Sequence, residues 1–341
     1  MHFPYLYRAK SMEKPKFLVI QTAFIGDVIL ATGVLEKLHA HFPGAQIDFM
    51  VRKGNESLLK NHPFLHKTWV WNKSDGKYKN LLKLTKAIRK EKYDYAINVQ
   101  RFANSGFVTA FSKAKTKIGF DKNPWSRWFN IAVEHQINNG MHEVERNQKL
   151  IESITNSVAE NPVLYPSATD FEKVSEYKQE PFICLAPASV WFTKQMPKEK
   201  WIEQIQTTPF QGNIYIIGAP SDADLADEII ARGNRDKVFN LCGKLNLLQS
   251  AALMKDATMN YVNDSAPMHL ASSVDAKTTA IFCSTIPEFG FGPLAGESHV
   301  VEVKEKLACR PCGLHGKKAC PEGHFDCGFK LEMEQLHTVL D

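Results

Sequence analysis

The sequence predicts an α/β protein made of two consecutive doubly wound domains. Apolar, strand-like runs alternate with amphipathic segments along almost the whole chain, which is typical of parallel sheets with crossover helices. The 341 residues also exceed the usual size of one hydrophobic core. The segment NPVLYPSATD, from residue 161, separates two series of such elements. We therefore predict one domain over 1–165 and a second over 166–341.

Each series is defined by its apolar runs. The strands predicted in the first series are 17–21, 46–51, 68–71 and 93–99, with amphipathic helices at 28–41 and 78–91. The strands predicted in the second series are 182–186, 213–218, 238–241, 259–262 and 278–283, with helices at 198–207, 221–232, 247–255 and 267–273. Because such sheets bind ligands beyond the carboxyl ends of their strands, the loops after the strands are the candidate sites.

The composition excludes several classes of protein. With 44% hydrophobic and 23% charged residues, the chain is an ordinary globular protein and not a mainly disordered one. No apolar stretch approaches the ~18 residues of a membrane-spanning helix. Residues 1–16 contain charges but no apolar block, so we expect no secretory signal, and translation could begin at Met12. Seven cysteines, an odd count, favour a reducing cytoplasm.

Positive charge is concentrated in the first half of the chain. Residues 73–127 contain fourteen Lys and Arg against four Asp and Glu, whereas the whole chain carries a net charge of +5. Such a concentration favours an anionic partner: nucleic acid, an acidic membrane surface or a phosphorylated substrate. Solvated lysines on helix faces are the alternative. No helix-turn-helix, zinc-finger or RNA-binding signature favours nucleic acid.

The loop after the first strand, TAFIGDVIL, contains the first candidate catalytic residue. Asp27 follows Gly26 where a helix is predicted to begin. A carboxylate at this position either caps the helix or projects into the cleft as a general base. The loop has neither a dinucleotide-binding nor a P-loop pattern, so neither of those nucleotide sites is predicted here.

Two loops of the second series are candidate phosphate sites. The loop at 186–197 offers Ser189, Thr193 and Lys194 as hydrogen-bond donors, although a surface loop with a solvated lysine is equally compatible. The loop after the strand at 259–262 contains capping residues, then Pro267, and opens a helix whose free N–H groups could hold a diphosphate. His269 lies near its first turn. In a further loop Asp222 could accept ribose hydroxyls, or simply begin a helix.

The carboxyl-terminal segment is rich in cysteine. Its pattern is Cys309-x2-Cys312-x7-Cys320-x6-Cys327. Four thiols in so short a segment fit a closed structural zinc site, although the spacings are not those of a standard finger, and a local knuckle without metal is the alternative. Nothing suggests a catalytic metal. We expect the chemistry at Asp27 and at the phosphate loops to be independent of these thiols.

Four motifs taken together resemble glycosyltransferase family 9, the bacterial heptosyltransferases of lipopolysaccharide core assembly. They are FLVIQTAFIGDVILATGVLEKL from residue 17, MHEVERN from 141, APASVWFTKQMP from 186 and NDSAPMHLASS from 263. The likeness extends from about residue 17 to 329. It implies the GT-B architecture, in which two Rossmann-like domains face each other, with the acceptor mainly on the first domain and the nucleotide sugar mainly on the second.

The resemblance also implies a reaction and its residues. We expect an inverting transfer of a heptose, or a related sugar, from an ADP-activated donor to a lipopolysaccharide core acceptor, with Asp27 as general base and Lys194 as a catalytic contact to the phosphates. No cofactor is required, apart from the candidate structural zinc. The expected donor-binding residues are Ser189, Thr193, Lys194, Asp222, Asp264, Ser265, Ala266, Pro267, Met268 and His269, and the expected acceptor-binding residues are Arg101 and His142.

The resemblance places the enzyme in the cytoplasm, with peripheral contact to the inner membrane, where an anionic glycolipid would meet the basic first half. No nucleic-acid partner is expected. Two alternatives remain open: a nucleotide-sugar epimerase of similar fold, and a non-catalytic homologue that binds a sugar or nucleotide. Retention of Asp27 and Lys194 disfavours the second. The motif TKQMP places Gln195 and Met196 where the family often has Arg and Trp.

Overall fold

The computed structural model describes residues 14–74, 76–137 and 139–340. The predictions about the amino-terminal segment and about a start at Met12 lie outside these residues. Within them, no helix combines the length and the apolar composition that crossing a bilayer requires.

The described residues form two six-stranded sheets, and every neighbouring pair of strands in them is parallel. The first sheet has the order β3-β2-β1-β4-β5-β6 and contains β1 (Lys16–Ile20), β2 (Gln46–Arg52), β3 (Leu65–Trp71), β4 (Tyr95–Asn98), β5 (Thr116–Phe120) and β6 (Ile131–Val133). The second has the order β12-β11-β10-β7-β8-β9 and contains β7 (Phe182–Ala186), β8 (Asn213–Ile216), β9 (Val238–Asn240), β10 (Met259–Asn263), β11 (Thr278–Phe282) and β12 (Ser298–Glu302).

Helices connect these strands and close the chain. The α-helices are α1 (Ile25–His41), α2 (Lys77–Ile88), α3 (Ala103–Phe111), α4 (Glu143–Lys149), α5 (Ala168–Lys173), α6 (Lys198–Thr207), α7 (Ala223–Gly233), α8 (Leu247–Met254), α9 (Ala266–Ser272), α10 (Asp326–Phe329) and α11 (Glu334–His337). Short 3₁₀ helices lie at Glu56–Leu59, Arg89–Glu91, Ser126–Trp128, Glu152–Ile154, Ser175–Lys178, Phe192–Lys194, Pro220–Asp222, Pro287–Phe289 and Thr338–Leu340.

The predicted α/β architecture of two doubly wound units is confirmed. All nine predicted strands are present, and six of them begin at the predicted residue, namely those that start at 46, 182, 213, 238, 259 and 278. The outer strands β5, β6 and β12 and the helices α3, α4, α5, α10 and α11 were not predicted. The boundary at 165/166 falls between the two sheets and stays a prediction.

The topology places four strand-to-helix segments at the carboxyl ends of the central strands of the two sheets. In each sheet the strand order reverses between two adjacent central strands, β1 and β4 in the first and β7 and β10 in the second. Ligands of doubly wound sheets bind at such a switch point, beyond the carboxyl ends of the strands. The segments that follow these four strands contain Asp27, Arg101, Lys194 and Asp264.

Helix α1 lies between the two halves of the molecule. It packs against α4 and also against α9, which follows a strand of the second sheet. Ten of its seventeen residues are buried, because apolar neighbours surround it on more than one face. One hydrophobic cluster consequently runs across both halves, from Phe17 to Phe282, and holds the loops of the two sheets close together.

Candidate active site

Asp27 lies in the first turn of α1 and caps that helix. Its Oδ2 accepts a hydrogen bond of 3.0 Å from the backbone N–H of Phe24. The carboxylate is partly buried, and burial raises its pKa above the usual range, although the Phe24 N–H and the charges of His315 and Arg52 oppose that shift. The capping role that the sequence left open is therefore present, and the role as general base stays a prediction.

Two charged residues near Asp27 were not predicted from the sequence. Glu143, at the start of α4, interacts with the charge of Asp27, and burial is the main cause that raises the pKa of Glu143. Arg52 ends β2, and its guanidinium carbon lies 5.0 Å from the centre of the Phe24 ring. Two carboxylates and one arginine thus lie near the amino-terminal end of α1.

Lys194 is held by a buried carboxylate of the neighbouring loop. Its Nζ lies 2.7 Å from Oδ2 of Asp264, and the Thr285 hydroxyl donates to the same oxygen at 2.6 Å. The Lys194 side chain is 15% exposed and that of Asp264 only 6%, so this ion pair is largely shielded from solvent. Because β7 and β10 are adjacent, the two predicted phosphate loops meet here. The ammonium group is oriented before any ligand binds.

The hydroxyl group of Thr193 is hydrogen-bonded to other residues of the protein. It accepts hydrogen bonds from the Ser284 hydroxyl at 2.9 Å and from the Lys317 N–H at 2.8 Å. In the same loop, the backbone carbonyl of Ser189 accepts from the Gln195 side chain at 2.6 Å. Thr193 therefore shapes the loop that presents Lys194. Direct donor contacts by Thr193 and Ser189 stay predictions.

Asp222 occupies a capping position after β8. Its Oδ2 accepts from the backbone N–H of Ala219 at 2.8 Å, and the Ser221 hydroxyl donates to Oδ1 at 3.2 Å. These bonds match the helix-starting alternative. Binding of ribose by Asp222 stays a prediction.

The amino-terminal end of α9 offers fewer donors than its sequence suggested. Ser265 is the residue before the helix, Pro267 has no N–H, and the N–H of Met268 donates to the Ser265 carbonyl. The Met268 side chain is fully buried, and contact of Met268 with the donor stays a prediction. For the Ala266 N–H, the described part of the chain provides no acceptor. That amide is the remaining candidate for an anion contact here.

His269 connects this helix to the first half of the molecule. A Cβ atom placed on Gly26 would lie 2.8 Å from the His269 Cδ2, so only glycine permits the ring to approach α1 this closely. The imidazole is 6% exposed, and its Nδ1 has no hydrogen-bond partner among the described residues. Burial, with the charges of His142 and Lys194, lowers the pKa of His269 to about 3. The ring is therefore neutral at physiological pH.

The motif MHEVERN joins the two halves. The His142 Nε2–H donates to the Gly292 carbonyl at 3.1 Å, while its Nδ1 accepts from the Val144 N–H at 3.2 Å. The buried Arg146 donates to the Phe289 carbonyl at 2.9 Å and pairs with Glu143 at 2.9 Å. Both nitrogens of His142 are thus engaged, Nε2 with the loop after β11 and Nδ1 with the start of α4. Acceptor binding by His142 stays a prediction.

Comparisons with known proteins agree with this geometry. Residues 81–321 match the model of glycosyltransferase family 9 (heptosyltransferase). The chain belongs to glycosyltransferase family 9.

Three proteins illustrate the relationship. Lipopolysaccharide heptosyltransferase 3 of Escherichia coli K12 is 28% identical over 76% of this chain and 80% of its own length. The solved ADP-heptose heptosyltransferase II of E. coli has a TM-score of 0.77 at 21% identity, covering 95% of this chain and 98% of its own. A family 9 glycosyltransferase of Veillonella parvula has a TM-score of 0.84 at 18% identity, covering 96% and 97%. These structural likenesses support the GT-B fold, and the family makes the chain a glycosyltransferase.

The cysteine-rich tail of this glycosyltransferase contacts the phosphate loop. The Thr193 N–H donates to the Lys317 carbonyl at 3.1 Å, and the Cys312 N–H donates to the Ser284 carbonyl at 2.8 Å. The charge of His315 also acts to lower the pKa of Asp27. The tail folds back across the ends of β7 and β11, and the expectation that the chemistry is independent of the four thiols stays a prediction. No local sequence pattern indicated this contact.

The four tail thiols lie near one another without forming a metal site. The charges of Cys309, Cys312 and Cys320 all contribute to raising the pKa of Cys327, although burial is the main cause. Within 14–74, 76–137 and 139–340, no group of three or more His, Cys, Asp or Glu side chains is arranged to hold a metal ion. The described side chains therefore do not fit the zinc site that the spacing predicted.

Arg101 follows β4 and is partly exposed at the same edge of the first sheet. Its charge lowers the pKa of Glu143 and of His135, which places it near these two residues of the first half. In the described ranges it has neither a hydrogen bond nor an ion pair, so its guanidinium can meet an anion. Acceptor binding by Arg101 stays a prediction.

Proposed function

We propose that this glycosyltransferase moves a heptose, with inversion, from an ADP-activated donor to an anionic lipopolysaccharide core acceptor. Asp27 takes the proton of the acceptor hydroxyl as its oxygen attacks the anomeric carbon, and the bond to the diphosphate breaks on the opposite side. ADP leaves with the bonding electron pair. One observation supports the proposal: Gly26, next to Asp27, packs against His269, and the helix of His269 follows the loop in which Asp264 pairs with Lys194 at 2.7 Å.

The donor side of the site provides positive charge for the leaving group. Lys194 lies in a shielded position, and the Ala266 N–H lies at the start of α9, after the adjacent strand β10. A cation and an amide fixed in a shielded site stabilise the charge that develops on a departing diphosphate without reorganisation. Such groups supply the role that a divalent metal has in other enzymes, and the relatives named for ADP-heptose support ADP as the nucleotide.

The first half supplies a basic and partly aromatic surface for the acceptor. Lys73 lies near Arg52 and Lys77, since the charges of both lower its pKa, although burial is the main cause. The aromatic rings of Phe24, Phe102 and Trp128 are about half exposed or more, at 59%, 64% and 49%. Basic residues with exposed aromatic rings favour the surface of an anionic membrane. We propose that the enzyme meets its glycolipid at the cytoplasmic face of the inner membrane.

The test is incubation of the purified protein with ADP-heptose and candidate core lipids, followed by mass spectrometry. We expect a lipid product heavier by one heptosyl unit and an equivalent amount of ADP. Hydrolysis of the donor without lipid product, in the presence of every candidate acceptor, would contradict the acceptor class. Donor epimerisation would favour an isomerase instead.

The acid limb of the pH profile should report Asp27. The base acts when it is deprotonated, so activity should rise with pH through the pKa of Asp27, which burial raises above that of an ordinary aspartate. Glu143, Arg52 and His315 are the charged or titratable groups that face it. In Arg52→Gln the loss of a cation should move this limb to higher pH. Measurement of kcat/KM from about pH 4 to about pH 8 checks this, and an unmoved limb would assign it to another group.

The zinc prediction for the tail rests on the cysteine spacing alone. If Cys309, Cys312, Cys320 and Cys327 bind zinc, elemental analysis of protein purified without added metal should give about one zinc per chain. A chelator should then lower the thermal stability, because metal binding is coupled to local folding. Substoichiometric zinc, together with four freely titratable thiols, would contradict this prediction.

A further inference from the structure

The segment 315–317 of the cysteine-rich tail lies directly on the loop that presents Lys194. Thr193 and Lys317 exchange two hydrogen bonds, from the Thr193 N–H to the Lys317 carbonyl at 3.1 Å and from the Lys317 N–H to the Thr193 hydroxyl at 2.8 Å. Two bonds between the same two residues fix both the position and the direction of the segment. The tail is thus docked on the phosphate loop and does not merely pass near it.

Gly316 forms the surface on which the Lys194 side chain rests. Its φ angle of 72° lies in the left-handed region, where glycine is favoured. A Cβ atom at this position would lie 2.7 Å from Cγ and 3.2 Å from Cδ of Lys194. A larger residue would therefore push the lysine stem away from its place beside Asp264. The backbone of residue 316 helps to determine where the ammonium group points.

His315 directly precedes this glycine, one residue from the backbone that contacts the Lys194 side chain. It is exposed, and its charge acts on Asp27 across the cleft. The described residues provide it with no hydrogen bond or ion pair. Its ring nitrogens are therefore available to a substrate that lies between Asp27 and Lys194.

The rest of the tail has a separate, structural purpose. Phe325, Leu331 and Leu336 are buried in the core of the second half. Residues 313–319, by contrast, are exposed or only partly buried, so they contribute little apolar burial to folding. Within this segment, Gly316 and Lys317 contact the phosphate loop instead.

We propose that residues 315–317 form a wall of the donor site, with Gly316 as a positioning residue for Lys194 and His315 as a hydrogen-bond donor to the diphosphate of the nucleotide sugar. The proposal deepens the proposed function and rests on it. It gives the cysteine-rich tail a part in donor binding, because the cysteines at 312 and 320 bracket this segment.

The first test compares Gly316→Ala with Gly313→Ala. Both glycines have positive φ angles, but a Cβ on Gly313 would meet no atom within 4 Å, so the control introduces the same kind of backbone strain without touching Lys194. We expect Gly316→Ala to bind ADP about tenfold more weakly by calorimetry, and Gly313→Ala to bind it like the parent. Equal ADP affinities of the two variants would overturn the positioning role.

The second test compares His315→Ala with His324→Ala. His324 is the other histidine of the cysteine-rich segment, and it pairs with Asp326 at 3.1 Å on the surface. We expect His315→Ala to raise the KM for the donor about tenfold at unchanged melting temperature, with His315→Gln restoring part of the loss through its amide donor. An unchanged donor KM in His315→Ala would overturn its substrate contact. A parent chain that binds ADP but transfers no heptose would contradict the proposed function and leave the Gly316 comparison valid.

Discussion

Replacing Asp27 with asparagine is expected to lower turnover by about 10²–10⁴-fold while leaving ADP affinity nearly unchanged. The amide keeps the size of the side chain, and its oxygen can still accept the Phe24 N–H that caps α1. It cannot take the proton of the acceptor hydroxyl. Helix capping and catalysis are therefore separated in this variant, and turnover, ADP affinity and melting temperature should be measured together.

Asp170→Asn provides the matched control for this variant. Asp170 occupies the same position in the first turn of α5, and its Oδ2 accepts from the Ser167 N–H at 2.8 Å. This helix lies outside the four loops at the strand-order reversals, so transfer should be unaffected. A loss of less than about tenfold in Asp27→Asn would leave the residue with capping alone. An equal loss in both variants would mean that damage to a helix end explains the effect.

The central strands could be predicted from sequence because they are buried on both faces. In β7 all five residues are buried, which produces the continuous apolar run that was recognised. The missed strand β6 is a three-residue edge strand that has no fully buried residue, and β5 begins with two partly exposed residues. Such strands acquire their conformation from pairing with a neighbour, so their own residues contain little signal.

The candidate site residues could be predicted where they follow a central strand of a sheet. The loops after β1, β7 and β10 contain Asp27, Lys194 and Asp264, and the parallel topology brings these loops to one edge. Arg52 could have been found in the same way, since it ends β2 at that edge. His315 could not, because it lies in a tail whose position depends on long-range backbone bonds to Thr193.

Replacing Lys194 with alanine is expected to weaken ADP binding by roughly 10–100-fold and to lower turnover as well, since a cation facing a diphosphate stabilises both the bound donor and the transition state. A hydrogen bond from a charged group contributes about 1.5–3 kcal/mol, which sets this range. The loss should be larger for ADP than for adenosine, because the nucleoside has no phosphate for the lysine to contact. Calorimetry with both ligands measures the difference.

Two further variants distinguish phosphate binding from damage to the fold. Lys198→Ala removes another lysine of the same region, whose 2.7 Å pair with Glu228 is exposed at both ends, so ADP affinity should be that of the parent. Among the described residues, Lys194→Ala leaves the buried Asp264 carboxylate with the Thr285 hydroxyl as its only partner. The double variant with Asp264→Asn removes that unpaired charge. We expect the double variant to regain thermal stability but not ADP affinity. Recovery of ADP affinity together with stability would show that Lys194 only neutralises Asp264, and equal ADP binding by Lys194→Ala and the parent would make the lysine a structural residue.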